Sequence, residues 1–392
     1  MKKGINKERI ATVFFLFCVC CESHLLSVYW GQNSNSNVKL TAERSLSEYC
    51  NNFNYQIINI AFVEVFFNRN RNALPVINLS DHCYKLTDSE SILKCISIGK
   101  EIQNCQKKGR LIMISLGGAD GVYGFSTLNE AKDFATTIWN LFLGGSSNIR
   151  PFGNAVLDGL DLNIEKGSPL YYSDFIQTMR LLMSGDNSKR YYITGAPQCP
   201  YPDPYMGPII VGSVLEKVAK EFDFLYVQFY NNPCFIGSTE FTVALNQWLN
   251  FANQIKKQYD KGPLIFIGLL AHPQASNHSE YYSNPNQVEA VYNITKFNKH
   301  FGGIMLWDAG FDSVNIISDS YYSSALSKFL TKENNIPLLV DHMVSTNNQV
   351  IPPESEKDKI DDKNVFYNNA FHLRVYYLHL FCALFNFICL EK

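Results

Sequence analysis

The sequence predicts an α/β protein folded as an eight-stranded (β/α)8 TIM barrel. Three observations carry the prediction. Eight short apolar runs, each bounded by turn residues, recur along the chain. Most gaps between them are long enough for a helix, and strands alternating with helices imply a parallel sheet. Polar and aromatic residues gather at the C-terminal ends of the runs, where a barrel of this kind places its chemistry, while the opposite ends are mostly apolar.

In chain order the predicted strands are 27–33, 56–66, 110–118, 157–165, 191–200, 222–231, 264–273 and 302–312. Helical stretches fill 89–107, 128–143, 169–183 and 242–258. The competing arrangement is an open doubly wound sheet, but no phosphate-binding glycine fingerprint follows the first strand. Ser115-Leu116-Gly117-Gly118 reads as a glycine turn. The chemistry-bearing strand ends are Trp30-Gly31-Gln32-Asn33, 115–120, 161–165, Gln198, 228–232 and Trp307-Asp308.

The chain has 392 residues, 46% hydrophobic and 18% charged, enough apolar material for a large core and too much for a mainly disordered protein. Lys+Arg 34 against Asp+Glu 36 gives a net charge of -2, so no global field favours nucleic acid. Residues 1–24 read as a secretory signal: Lys2, Lys3, Lys7 and Arg9 precede an apolar stretch at 10–21. The barrel is assigned to 25–335, a polar linker to 336–372 and an apolar tail to 373–392. The tail is short for a spanning helix. A polar spacer before a terminal apolar tail also fits a glycolipid-anchor signal, so a removed signal and a retained, membrane-attaching tail both stand. Export, to the extracellular space or the cell surface, is the expectation from both ends.

Eleven cysteines divide informatively. Cys18, Cys20 and Cys21 fall in the signal and Cys382 and Cys389 in the tail, leaving Cys50, Cys83, Cys95, Cys105, Cys199 and Cys234. An even number in an exported chain reads as three disulfides, for which sequence allows fifteen pairings. No CxxC pair or His-rich cluster suggests a metal site, and neither a metal nor an organic cofactor is expected. Three glycosylation sequons, at Asn78, Asn277 and Asn293, also fit export. Nothing indicates an oligomer, and a monomer is expected.

The sharpest chemical signal is Asp158-Gly159-Leu160-Asp161-Leu162-Asn163-Ile164-Glu165. Side chains alternate along a strand, so Asp161, Asn163 and Glu165 share one face and Leu160, Leu162 and Ile164 the other. The apolar row should face the helices and the polar row the barrel interior. Burying polar groups without partners costs several kcal/mol each, so a purely structural strand would carry Val or Ile there. Asp158 is off this parity and should support the strand start. Glu165, nearest the C-terminal end, would meet a substrate, and a negative neighbour would raise its proton affinity. A carboxylic acid that keeps its proton near neutral pH can protonate a leaving oxygen, the general-acid step of glycoside cleavage.

This stretch resembles the DxxDxDxE signature of family 18 glycoside hydrolases, and the wider chain is similar to the class III (hevamine-type) chitinases. Further matching pieces are Val28-Tyr29-Trp30-Gly31-Gln32-Asn33, Asn59-Ile60-Ala61-Phe62, 77–83, Ser115-Leu116-Gly117-Gly118, Ala196-Pro197-Gln198-Cys199-Pro200, 227–233 and Met305-Leu306-Trp307, in one order from about 27 to 330. The resemblance implies cleavage of chitin or another N-acetylglucosamine-containing glycan. By position, Glu165 matches the proton donor and Tyr230 the tyrosine that bonds the substrate's acetamido oxygen. Asp161 and Asn163 complete the catalytic row. Trp307 matches the ring under the sugar at the cleaved bond, and Tyr29, Phe62, Gly118 and Gln228 match groove positions. It implies the pairings Cys50–Cys105, Cys83–Cys95 and Cys199–Cys234. It also implies a mechanism without a carboxylate nucleophile, in which the acetamido oxygen attacks the anomeric carbon.

The chain departs from the family at Asn163, where Asp is usual. Asn can still accept an N–H through its carbonyl oxygen, but it is neutral. A charge-assisted hydrogen bond is about twice as strong as a neutral one, so a working but slowed enzyme is expected. A glycan-binding protein with little turnover is the alternative, since groove aromatics serve either role. Glu165 discriminates: a pure binder has no need of that acid.

Overall fold

A computed structural model describes residues 24–38, 40–68, 73–83 and 92–330. All lie in the first of the two units, 1–340 and 341–392, into which the chain divides. The signal up to residue 23, the whole linker and the apolar tail read from the sequence fall outside the described residues.

Eight parallel strands close a barrel: β1 (Leu25–Trp30), β2 (Ile57–Asn68), β4 (Leu111–Gly117), β5 (Gly159–Asn163), β6 (Tyr192–Gly195), β7 (Phe224–Gln228), β8 (Leu264–Leu270) and β9 (Phe301–Trp307). Each pairs with the next, and β1 pairs with both β9 and β2 to complete the ring. The short β3 (Leu74–Ile77) runs antiparallel along β2 and was not anticipated. It is four residues long and contains Pro75, which removes a ladder donor and weakens the strand signal. A small hairpin, β10 (Ile316–Ile317) and β11 (Ser320–Tyr321), follows the barrel.

The helices between strands are α1 (Leu46–Asn52), α2 (Ile96–Lys107), α3 (Leu128–Phe142), α4 (Tyr172–Ser184), α5 (Val214–Val218), α6 (Phe241–Tyr259) and α7 (Pro285–Thr295), followed by α8 (Ala309–Asp312) and α9 (Tyr322–Leu330). Their starts follow capping chemistry. Ser45 and Glu48 form a capping box at α1, Thr127 caps α3, and Asn284 with Pro285 at the first position begins α7. None of the described helices is long and apolar enough to cross a membrane.

Several predicted strands ran too long at their C-terminal ends. Those at 157–165, 222–231 and 302–312 stop at Asn163, Gln228 and Trp307. Most of the residues beyond are still buried, Ile164, Phe229, Tyr230 and 308–312 among them, so the apolar pattern outlasts the hydrogen-bond ladder. The parity reading of β5 matches the structure. Leu160, Leu162 and Ile164 belong to the buried cluster between barrel and helices, and Asp161 is wholly buried among side chains from other strands. Asp158 anchors the strand start: its carboxylate accepts from the Ile112 backbone N–H at 2.8 Å and pairs with Lys189 at 2.5 Å.

Three disulfides are present: Cys50–Cys105 joins α1 to α2, Cys83–Cys95 closes the segment before α2, and Cys199–Cys234 links the segments after β6 and β7. The last joins residues 35 apart in sequence, one just past β6 and the other just past β7, and so restrains the chain beside the site described next.

Candidate active site

The sequence-predicted catalytic row lies at the C-terminal end of β5. Asp161 is at its base. Register pairs it with Ser115 on β4 and Thr194 on β6, so those hydroxyls flank it on the same face. Ser115 Oγ and the Tyr29 hydroxyl both donate to Oδ2 at 2.7 Å, and Thr194 Oγ1 donates to Oδ1 at 2.7 Å. Burial pushes the Asp161 carboxyl above the ordinary carboxylate range, and the three hydroxyl bonds oppose that shift. Three donors converging from three other strands fix this side chain in one orientation.

Asn163 comes next, and Glu165 lies two residues past the last ladder position. Gln228, the final residue of β7, links them. Its Nε2 stands 3.2 Å from Asn163 Oδ1, 3.3 Å from Glu165 Oε1 and 3.1 Å from the Ala196 carbonyl. The Tyr123 hydroxyl accepts from the Glu165 backbone N–H at 3.1 Å and donates to the Gly118 carbonyl at 2.8 Å. Gly118 in turn donates its N–H to the Asn163 carbonyl at 2.9 Å. It adopts φ +90, and an added Cβ would approach the Phe62 ring to 3.0 Å, so glycine is required by both conformation and space.

Glu165 is partly exposed, which an acid that must reach a substrate requires. Its carboxyl is raised above the ordinary range, chiefly by burial. The amides of Gln228, Gln198 and Asn163 oppose the shift, and the carboxylate of Asp203 adds to it. The expectation is that a negative neighbour would raise its proton affinity; the neutral Asn163 lowers it, and the charged neighbour that raises it is Asp203, from outside the strand.

Asp203 was missed in the sequence. It lies in the proline-rich segment Pro200-Tyr201-Pro202-Asp203-Pro204 and is fully buried. Backbone N–H groups of Gln198 and Tyr205 donate to it at 2.9 and 2.8 Å, with Met206 as a third donor, and burial pushes it up to about 6. A lone acid between prolines reads as a turn, so only the tertiary contact reveals its influence. Tyr123 and Thr194 were likewise not singled out, and Ser115 was named only within a glycine turn, because single hydroxyl residues carry no spacing signal.

Tyr230 is buried beyond β7, and its hydroxyl is raised well above the ordinary tyrosine value by burial, with Glu165 the strongest charged contributor, followed by Asp161 and Asp308. Tyr29, Phe62 and Trp307 form an aromatic wall. Their centroids lie 6.0, 5.7 and 5.9 Å apart pairwise, and Phe62 and Trp307 are stacked. The peptides Ala61–Phe62 and Trp307–Asp308 are cis. An open cleft of about 600 Å³ adjoins Trp307, lined also by Ser34, Asn231, Phe311 and the turn from Gln274 to Tyr281. Glu165 does not line that cleft; Trp307 and Asn231, the residue after Tyr230, connect it to the catalytic row. Among the described residues, no cluster of His, Cys, Asp and Glu could hold a metal ion.

A family model described as glycosyl hydrolases family 18 matches residues 26–264. Chitinase 3 of Candida albicans is 38% identical over 298 residues, covering 74% of this chain and 48% of that protein, so the chain spans about half its length. An acidic endochitinase of Arabidopsis thaliana is 35% identical over 321 residues, covering 80% of this chain and 96% of the relative. Among solved structures, the ICChI chitinase of Ipomoea carnea superposes with a TM-score of 0.63 at 32% identity, covering 77% of this chain and 98% of that one. The xylanase and alpha-amylase inhibitor protein XAIP-II of Scadoxus multiflorus gives 0.62 at 30% identity, covering 78% and 98%.

Proposed function

The chain belongs to the family 18 glycosyl hydrolases, and from that membership we propose that it is an endo-acting chitinase slowed by Asn163. The observation that carries the reading is Glu165: a carboxyl whose proton affinity is raised by burial, partly exposed, at the open end of the barrel. A group in that state can protonate the bridging oxygen of a β-1,4-linked N-acetylglucosamine polymer as the bond breaks. The substrate's acetamido oxygen then attacks the anomeric carbon, giving an oxazolinium ion and retention of configuration after water attacks. Positioning that group in line is the larger task of the protein.

In this reading Tyr230 donates to the acetamido oxygen. Asn163 accepts the acetamido N–H through the lone pair of Oδ1 that Gln228 leaves free. Asp161 supplies the negative charge that Asn163 lacks, from below the row. Trp307, with Tyr29 and Phe62, carries the sugar ring, and Gly118 and Gln228 line the groove. The reading includes export after loss of 1–24, a monomeric barrel over 25–335, the linker at 336–372 and the tail at 373–392.

The second reading, glycan binding without turnover, draws on the neutral Asn163 and on the likeness to an inhibitor protein of the same scaffold. Turnover of N-acetylglucosamine oligomers by wild type and Glu165→Gln separates the two. Cleavage by the wild type alone supports the enzyme; equal inertness with retained binding leaves only the binder.

A further inference from the structure

The three sequons differ in what the fold leaves available. Asn78 is half-buried, donates its Nδ2 to Glu64 at 2.9 Å and accepts from the Ser80 N–H at 2.9 Å, so its amide is committed. Asn293 lies within α7, where its oxygen accepts from Lys296 at 2.7 Å and the sequon's Thr295 is buried and bonded to the Val291 carbonyl. Asn277 is different. It is exposed in a bend between two single-turn 3-10 helices, 273–275 and 279–281, and Ser279 is also exposed. No hydrogen bond among the described residues holds its side-chain amide. It lines the 600 Å³ cleft that Trp307 also lines, with Gln274 and Tyr281 beside it.

We propose that Asn277 carries an N-linked glycan whose first two sugars lie in the cleft beside Trp307. The attachment is a transfer from a lipid-linked oligosaccharide diphosphate. Asn277 Nδ2 forms a bond to the anomeric carbon as the carbon–oxygen bond to the diphosphate breaks; the lipid diphosphate leaves with the electron pair, and the amide loses one proton. The first two units of such a glycan are β-1,4-linked N-acetylglucosamine, the same chemistry as the proposed substrate. The chain would thus hold a tethered copy of a substrate fragment at the edge of its groove. A cleft with amide side chains, Tyr281 and Trp307 offers hydrogen bonds and ring faces suited to such sugars. Because the tether fixes the sugars near Trp307, they compete with free glycan for that ring. Attachment at Asn277 is independent of the chitinase reading; competition at Trp307 rests on it.

The test uses the full chain secreted from a eukaryotic host that attaches N-glycans. Enzymatic glycan release in heavy-oxygen water, read by peptide mass spectrometry, marks occupied asparagines. Occupancy is expected at Asn277 and not at Asn78. An unmarked Asn277 overturns the proposal. Tryptophan fluorescence titration with tri-N-acetylchitotriose then compares wild type, Asn277→Gln and Ser279→Ala. Both variants should bind roughly three- to tenfold more tightly than the glycosylated wild type. Equal affinity in all three, with Asn277 occupied, overturns the placement in the cleft. If no form binds the trisaccharide, the glycan-groove reading of the barrel fails, and with it the placement, while attachment is still decided by mass.

Discussion

The carboxamide of Gln228 donates to Asn163 Oδ1 across 3.2 Å, joining the end of β7 to the end of β5. The same nitrogen reaches Glu165 Oε1, so the acid and its strand neighbour share one donor. The identity of residue 163 is therefore felt at Glu165 through space and through this shared amide.

Replacing Asn163 with Asp should speed turnover. The carboxylate would accept the acetamido N–H by a charge-assisted bond and offset the positive intermediate. That is worth roughly 1.5–3 kcal/mol, or about ten- to a hundredfold in rate. A negative neighbour also raises the proton affinity of Glu165, so the basic limb of the pH–rate profile should move to higher pH. Profiles of wild type and Asn163→Asp on a chitooligosaccharide measure both; unchanged rate and limb would remove the argument.

Glu165→Gln should lower turnover by about 10²–10⁴-fold while leaving oligosaccharide binding in place. Its stability effect has a defined sign. The folded state holds this proton more tightly than the unfolded chain, so the wild type loses stability as pH rises from the ordinary carboxylate range through the raised folded value. Gln has no proton to lose. The variant should match the wild type below that window and exceed it above, as thermal melts across pH would record.

Asp161→Ala should be strongly destabilising. It leaves the hydroxyls of Tyr29, Ser115 and Thr194 without their buried acceptor, a loss of about 3–5 kcal/mol. Tyr29→Phe removes one of the three donors and should cost about 1 kcal/mol. Urea unfolding of both variants tests this order; a smaller loss for Asp161→Ala would contradict it.

Asp308 follows Trp307, is fully buried, and is pushed up to about 7 by burial and by the Glu43 carboxylate. Its Oδ1 accepts from the Phe311 N–H at 3.0 Å, a bond that Asn could also accept, and Ser34 and the Gly310 N–H favour the carboxylate without outweighing burial and Glu43. Because the folded value lies above the unfolded one, ionisation between about pH 4 and 7 removes stability. Asp308→Asn should therefore be more stable than wild type at pH 8 by about 1–2 kcal/mol, roughly 2–6 °C in Tm, and closest to it near pH 4. A variant that melts lower at pH 8 would argue against this account.

The barrel was legible because its signals are local and repeated. Each strand is an apolar run cut off by turn residues, and the parity of 160–165 separates the two faces of β5 without reference to any other strand. The pieces in one order from Tyr29 to Trp307 added the family and the roles proposed for named residues. Spacing alone left fifteen cysteine pairings open, and the resemblance supplied one.

What the chain order could not contain is which distant groups meet. The three hydroxyls on Asp161 come from β1, β4 and β6, and the amide shared by Asn163 and Glu165 comes from β7. Asp203, in a segment that reads as a turn, became a determinant of the acid only when the fold buried it near Glu165. Periodicity reports a residue's own neighbours along the backbone, whereas desolvation and Coulomb interactions depend on distance through the folded interior. For that reason the sequence determined the scaffold and pointed to Glu165, and the tertiary structure decided which groups raise its proton affinity.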